Sequence, residues 1–148
     1  MSQDTTPAGI RLAGDVEVGQ TLPETTVHID RATLVQYAGA SLDRNRIHWD
    51  ERFAVSVGLP DVIAHGMFTM GAAIRIVTAW AGDAGRIVQY GTRFTKPVVV
   101  PYVEGADLVV TGVVKALDPE TRRATVDLTA TCRDERVLGR CSAVVQLD

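Results

Sequence analysis

The second half of the chain alternates. In RATVDLTATCR (123–133), Ala124, Val126, Leu128, Ala130 and Cys132 share one face, while Thr125, Asp127, Thr129, Thr131 and Arg133 share the other. That is the period of a half-buried strand. RIVQYGTRF (86–94), YVEGADLVVTGVVKAL (102–117) and VLGRCSAVVQL (137–147) follow the same rule. Asp118-Pro119-Glu120-Thr121 and Asp134-Glu135 carry turn chemistry, so these segments predict an antiparallel meander, and Lys96-Pro97 and Pro101 mark an edge or crossover. The first half reads differently. DVEVGQTLPETTVHI (15–29) predicts a strand, a Gly-containing turn and a second strand. Asp30 is an N-cap for a helix over RATLVQYAGA (31–40), with Leu34, Tyr37 and Ala38 on one face. ERFAVSV (51–57) predicts two helical turns, with Asp50 as N-cap and Gly58 just past the end. VIAHGMFTMGAAIRIVTAWA (62–81) predicts a long apolar helix that stops at AGDAG (81–85).

A helix apolar nearly all round must be surrounded. A curved antiparallel sheet can enclose most of it, and a second subunit the rest. The pattern therefore predicts an α+β, single hot-dog domain over 13–148, with a long buried central helix wrapped by the sheet, preceded by a flexible tail over 1–12 and assembled as a dimer. Gly66, Gly71, Ala72 and Ala73 would let a sheet or a partner helix approach closely. The 62–81 window has the length of a membrane span. It also carries His65, Thr69, Arg75 and Thr78, and it reads as a core helix rather than a membrane span.

Composition narrows the function classes. The chain of 148 residues is 46% hydrophobic and 22% charged with a net charge of −3, which argues against non-specific nucleic-acid binding. Its polar start is no signal sequence, and the two cysteines, Cys132 and Cys141, fit a reducing compartment, so a cytoplasmic location is expected. With Asp134-Glu135 as a two-residue turn, Cys132 would face Val137 and Cys141 would face Leu128, leaving the thiols apart and free.

The segment SLDRNRIHWDE (41–51) concentrates titratable groups between two helices. Asp43 and His48 are five residues apart, about 140° on a helix and on opposite faces of a strand, so they converge only if the intervening residues turn. Asn45 suits such a turn. His65-Gly66-Met67 opens the long helix, where free N–H groups and a positive dipole end could hold an oxyanion, and Gly66 leaves a ligand unobstructed. A carboxylate, an imidazole and an oxyanion site suit proton abstraction beside a carbonyl followed by loss of a β-substituent. His48, Asp50 and His65 match no compact zinc spacing, and no metal is expected. His28 reads as a structural strand residue. Met67, Phe68 and Met70 read as core or acyl-channel residues. Arg86, Arg93 and Lys96 read as a solvated face or a contact for a CoA phosphate or an acidic carrier protein.

Tyr37 to Ala54 resembles the signature of MaoC-like (R)-specific enoyl-thioester hydratases and dehydratases, in which an aromatic residue precedes a G-D-x-N-P-[aliphatic]-H core and a small residue follows. Asp43, Asn45, Ile47, His48 and Ala54 match, and the likeness extends through GLPDVIAHGMFTMG (58–71) and RFTKPVVVP (93–101). Within the family the chain is most similar to the HadB-type subunit of actinobacterial (3R)-hydroxyacyl-ACP dehydratase. The resemblance implies a hot-dog fold and a cofactor-free hydro-lyase. It would act on an acyl-CoA or acyl-ACP, as a homodimer or as a heterodimer with a related hot-dog subunit. Asp43 and His48 would be the catalytic pair, a backbone N–H of Gly66, with Met67, would polarise the thioester, and Asn45 would hold the loop and orient His48. A hot-dog thioesterase and a non-catalytic acyl-binding subunit are the rival readings. Two positions depart from the signature. Leu42 replaces its glycine, so a loop needing positive φ there would have to change shape. Arg46 replaces its proline, which loosens Asn45 and brings a cation toward Asp43.

Overall fold

The computed structural model describes residues 13–148; the tail expected over 1–12 lies outside them. Strand β1 (Thr21–Ile29) leads into helix α1 (Arg31–Ser41), which Asp30 caps by accepting the Thr33 N–H at 2.8 Å. A single 3-10 turn (Arg46–His48) and the short helix α2 (Glu51–Ser56) follow. The central helix α3 (Gly66–Ala81) stops at Gly82 with φ 78. Strands β2 (Ile87–Phe94), β3 (Ala106–Asp118), β4 (Arg123–Cys132), β5 (Glu135–Arg136) and β6 (Leu138–Gln146) complete the chain. The sheet is antiparallel in the order β1-β3-β4-β6-β2, with β5 continuing against β4. It curves around α3 in the hot-dog arrangement.

The predicted inward face of β4 is the buried one: Ala124, Val126, Leu128, Ala130 and Cys132 all leave solvent. Opposite them α3 buries Thr69, Ala72, Ala73, Ile76, Val77, Trp80 and Ala81. Each fully buried Val or Ile contributes about 1.5–3 kcal/mol relative to exposure. Close approach depends on small residues: a Cβ on Gly112 of β3 would stand 3.1 Å from Ile76 Cδ1. The helix is not enclosed all round. Met67, Gly71 and Arg75, four residues apart, form an exposed stripe.

Four expectations are corrected. Residues 15–18 form no strand; a 3-10 turn (Ala13–Asp15) and a tight turn at Gly19 (φ 90) lead directly into β1. The long helix begins at Gly66 rather than Val62, because residues 62–65 run extended beside 98–100. There Ala64 N–H donates to Val98 O at 2.8 Å and Val100 N–H to Val62 O at 2.9 Å. The strand expected from 102 starts at Ala106, after a turn closed by Gly105 N–H to Pro101 O at 3.0 Å. The last hairpin turns at Arg133 and Asp134 (φ 50 and 61), a pair of left-handed residues suited to a two-residue loop. Cys132 therefore faces Glu135, not Val137, while Cys141 does face Leu128 and both thiols are free. The two registers differ because five steps from Arg136 to Cys141 oppose three from Thr131 to Leu128. Arg140 (φ 47) lies within the excess, and consecutive Val137 and Leu138 both turn inward.

Candidate active site

Helix α1 ends at Leu42, which adopts φ 63, the left-handed geometry normally given to glycine. The leucine therefore does adopt the positive φ that it was expected to tolerate poorly. Leu42 is 70% exposed, so little surrounding packing constrains its side chain. Two Asx turns follow: Asp43 Oδ1 accepts the Asn45 N–H at 3.2 Å, and Asn45 Oδ1 accepts the Ile47 N–H at 3.2 Å. The 3-10 turn then carries His48 back toward Asp43, leaving Nε2 4.0 Å from Oδ2. That distance is too long for a direct hydrogen bond and fits a shared oxygen atom.

The His48 ring is buried, and its Nδ1 lies 2.7 Å from the carbonyl of Ile63. A carbonyl only accepts, so Nδ1 carries the proton and Nε2 presents a lone pair to Asp43. Burial is the largest influence on this imidazole and holds its pKa below the ordinary 6.5, aided by His65 and opposed by the Ile63 bond and Asp43. His48 is therefore neutral at pH 7. Asn45 shapes the loop, but its side chain does not hold the ring: His48 N–H donates to the Asn45 carbonyl at 3.1 Å, and Ile63 sets the ring's direction.

A cavity of about 320 Å³ opens at His48 and is bordered also by Ile63, Gly66, Thr69, Phe94 and Leu138; the half-exposed carboxylate of Asp43 stands outside its lining. Gly66 is the first residue of α3, whose N-cap supplies no side-chain hydrogen bond. The first-turn N–H groups thus lack helix acceptors. A Cβ on Gly66 would come within 3.1 Å of the Phe94 ring. Met67 follows on the exposed stripe, and its side chain does not border the cavity.

Arg46 does not approach Asp43. Its Nη2 lies 2.6 Å from Asp50 Oδ2 and its guanidinium 4.6 Å from the Phe53 ring centroid. That bond and the Phe53 N–H together hold the Asp50 carboxyl below the usual range. Lys96 pairs with Glu135 at 2.7 Å and Arg86 with Asp83 at 4.0 Å. His28 stands on exposed β1, 2.6 Å from Asp107. Sequence reasoning gave His65 no specific role, yet its Nε2 lies 2.9 Å from the Asp43 carbonyl and its ring stacks on His48 at 3.7 Å. Ligand atoms of Asp43, His48 and His65 fall within 4.8 Å of one another. The two stacked imidazoles aim their free lone pairs along near-parallel planes, 22° apart, which is poor geometry for one tetrahedral ion.

The family model for a MaoC like domain matches residues 15–132, and the chain belongs to that family. It is 40% identical over 83 residues to 3-hydroxyacyl-thioester dehydratase X of Mycobacterium tuberculosis, covering 56% of this chain and 29% of that protein. It is 33% identical over 126 residues to 3-hydroxybutyryl-CoA dehydratase of Methylorubrum extorquens, covering 84% and 76%. A solved MaoC-like dehydratase superposes with TM-score 0.92 at 42% identity, covering 95% of this chain and 43% of that one. A subunit of the ChsH1-ChsH2 complex from Mycobacterium tuberculosis superposes with TM-score 0.76 at 25% identity, covering 88% and 98%. The chain thus spans less than half the length of two of these four.

Proposed function

We propose that this protein catalyses the reversible dehydration of (3R)-hydroxyacyl thioesters, carried on CoA or an acyl carrier protein, to trans-2-enoyl thioesters in acyl-chain metabolism. One observation carries the reading: Asp43 Oδ2 and the free lone pair of His48 Nε2 stand 4.0 Å apart, and His48 borders a cavity that reaches the start of α3. With the thioester oxygen at the Gly66 N–H, and Met67 N–H in the same turn, enolate charge meets the positive helix end. His48 Nε2 takes the C2 proton. The C3–O bond then breaks, and the departing hydroxyl receives that proton from the imidazolium and leaves as water held by Asp43. Both fragments of water pass on one face of the substrate, a syn elimination. Asn45 keeps the two groups in register. Every proton is handled by these side chains, so the reaction needs no cofactor.

The working unit is a pair of hot-dog domains, two copies of this chain or one with a related subunit, which would cover the Met67–Arg75 stripe. The ChsH1-ChsH2 neighbour, itself a two-subunit complex, supports that arrangement. Among the described residues no helix is long and apolar enough to cross a membrane. With its free thiols, the protein is proposed to work in the cytoplasm.

The test is loss of conjugated enone absorbance when the purified protein meets a trans-2-enoyl-CoA. Asp43→Asn and His48→Ala are each expected to lower kcat by about 10²–10⁴-fold. Variants as active as the wild type would refute the assignment. Thiol release without hydration would mark a thioesterase, and turnover only with a second subunit would mark a heterodimer.

A further inference from the structure

His65 occupies the N-cap of the central helix yet does not cap it. Ser, Thr, Asp or Asn at that position would accept a first-turn N–H. His65 instead turns its ring away and lies 2% exposed. Its Nε2 is 2.9 Å from the main-chain carbonyl of Asp43, so Nε2 carries the proton. Nδ1 is then a lone pair, and it is buried without a partner. The ring also lies flat against His48, centroids 3.7 Å apart and planes 22° apart, with Tyr37 behind it at 4.8 Å. A buried side chain with an orphaned nitrogen and an uncapped helix start is a poor arrangement for stability alone.

We propose that His65 is a positioning residue for the dehydration reaction. It ties the carboxylate-bearing loop to the start of α3 through the Asp43 carbonyl, and it fixes the plane of the His48 ring. This rests on the function proposed above. Asp43, His48 and the helix N-terminus are thereby locked to one another by one imidazole that exchanges no proton with substrate. Sparing the cap leaves the positive end of α3 uncompensated by a side-chain oxygen, available to the thioester.

Two substitutions separate this role from a structural one. Glutamine places an amide N–H near the position of Nε2 and can keep the tether, but it is a poor cap. Asparagine reaches only to the position of Nδ1 and loses the tether, but it is a strong cap. The expected orders are therefore opposite. His65→Asn melts no lower than His65→Gln, yet it loses about 10²-fold in kcat, the cost of a misplaced reacting group, while His65→Gln keeps about a third of wild-type turnover. Activity that follows the melting order, or equal turnover in the two variants, would overturn the proposal. Wild-type protein that hydrates no enoyl-CoA would defeat the functional reading instead. The tether would then be read from backbone amide NMR signals of Asp43–Asn45. These should broaden in His65→Asn and stay sharp in His65→Gln, and identical spectra would overturn it.

Discussion

Leu42 shows what a single residue can cost. An L-residue in the left-handed region carries about 1–2 kcal/mol of strain, of which glycine's larger unfolded-state entropy returns a part. The exposed leucine has no packing to lose. Leu42→Gly should therefore stabilise the protein by about 0.5–1 kcal/mol, raising the thermal midpoint by about 2–3 °C with turnover unchanged. A lower midpoint would show that the side chain has an unseen contact. His48 yields a second expectation at this scale. Burial holds its folded pKa below 6.5, so below pH 6.5 the unfolded chain binds more protons than the folded one. The stability this group contributes is complete above pH 6.5 and lost as pH falls through the folded value. The same sign governs catalysis: the acid limb of kcat/KM should be centred below pH 6.5, and a pH–rate profile centred above it would contradict the assignment of His48 as base.

At the scale of elements, the turn at 45–48 opens on an extended residue without a proline to impose it. Asn45 sits at φ −57 and ψ 129, the region a residue preceding proline prefers. The loop is stiffened instead by Asn45 on Ile47 and by Arg46 on Asp50 and Phe53. Arg46→Pro should be accepted with a thermal midpoint within about 3 °C of wild type, since the Arg46 side chain it removes is 56% exposed. Enoyl hydration should persist, and collapse of either would show that the pair organises the site. These elements also mark where sequence was legible. The alternation of β4 and the cap residues Asp30 and Asp50 announce themselves in side-chain chemistry, and so does the Asp43–His48 spacing. The ring of His48 is aimed by the main-chain carbonyl of Ile63, and His65 grips Asp43 by its main-chain carbonyl; every residue owns such a group, so neither contact leaves a signature in the sequence. The start of α3 was misplaced for a related reason: Val62-Ile63-Ala64 is apolar in either state, and only pairing with 98–100 decides for extension. Likewise Asp134-Glu135 disguised the turn at 133–134, and the two extra residues near Arg140 that restore the pairing of Leu128 with Cys141 have no side-chain signature.

For the molecule as a whole, β2 is an edge strand whose Val88 and Phe94 are about half exposed, and the stripe on α3 is open as well. Surfaces of this kind are normally covered. Sedimentation should give twice the mass of one chain, or that of a complex with a related subunit; a stable, active monomer would overturn the paired unit. The strand order has another consequence. β6 is inserted between β4 and β2, although β2 is made long before it. During synthesis β2 therefore leaves the ribosome with both edges open and waits while β3, β4 and β5 are translated. The sheet cannot close on that side, nor can Val137 and Leu138 wall the cavity, until β6 arrives. Until then β2 is an unpaired strand edge, the kind of surface through which partly folded chains associate wrongly, so the order of synthesis exposes a hazard that the finished fold conceals.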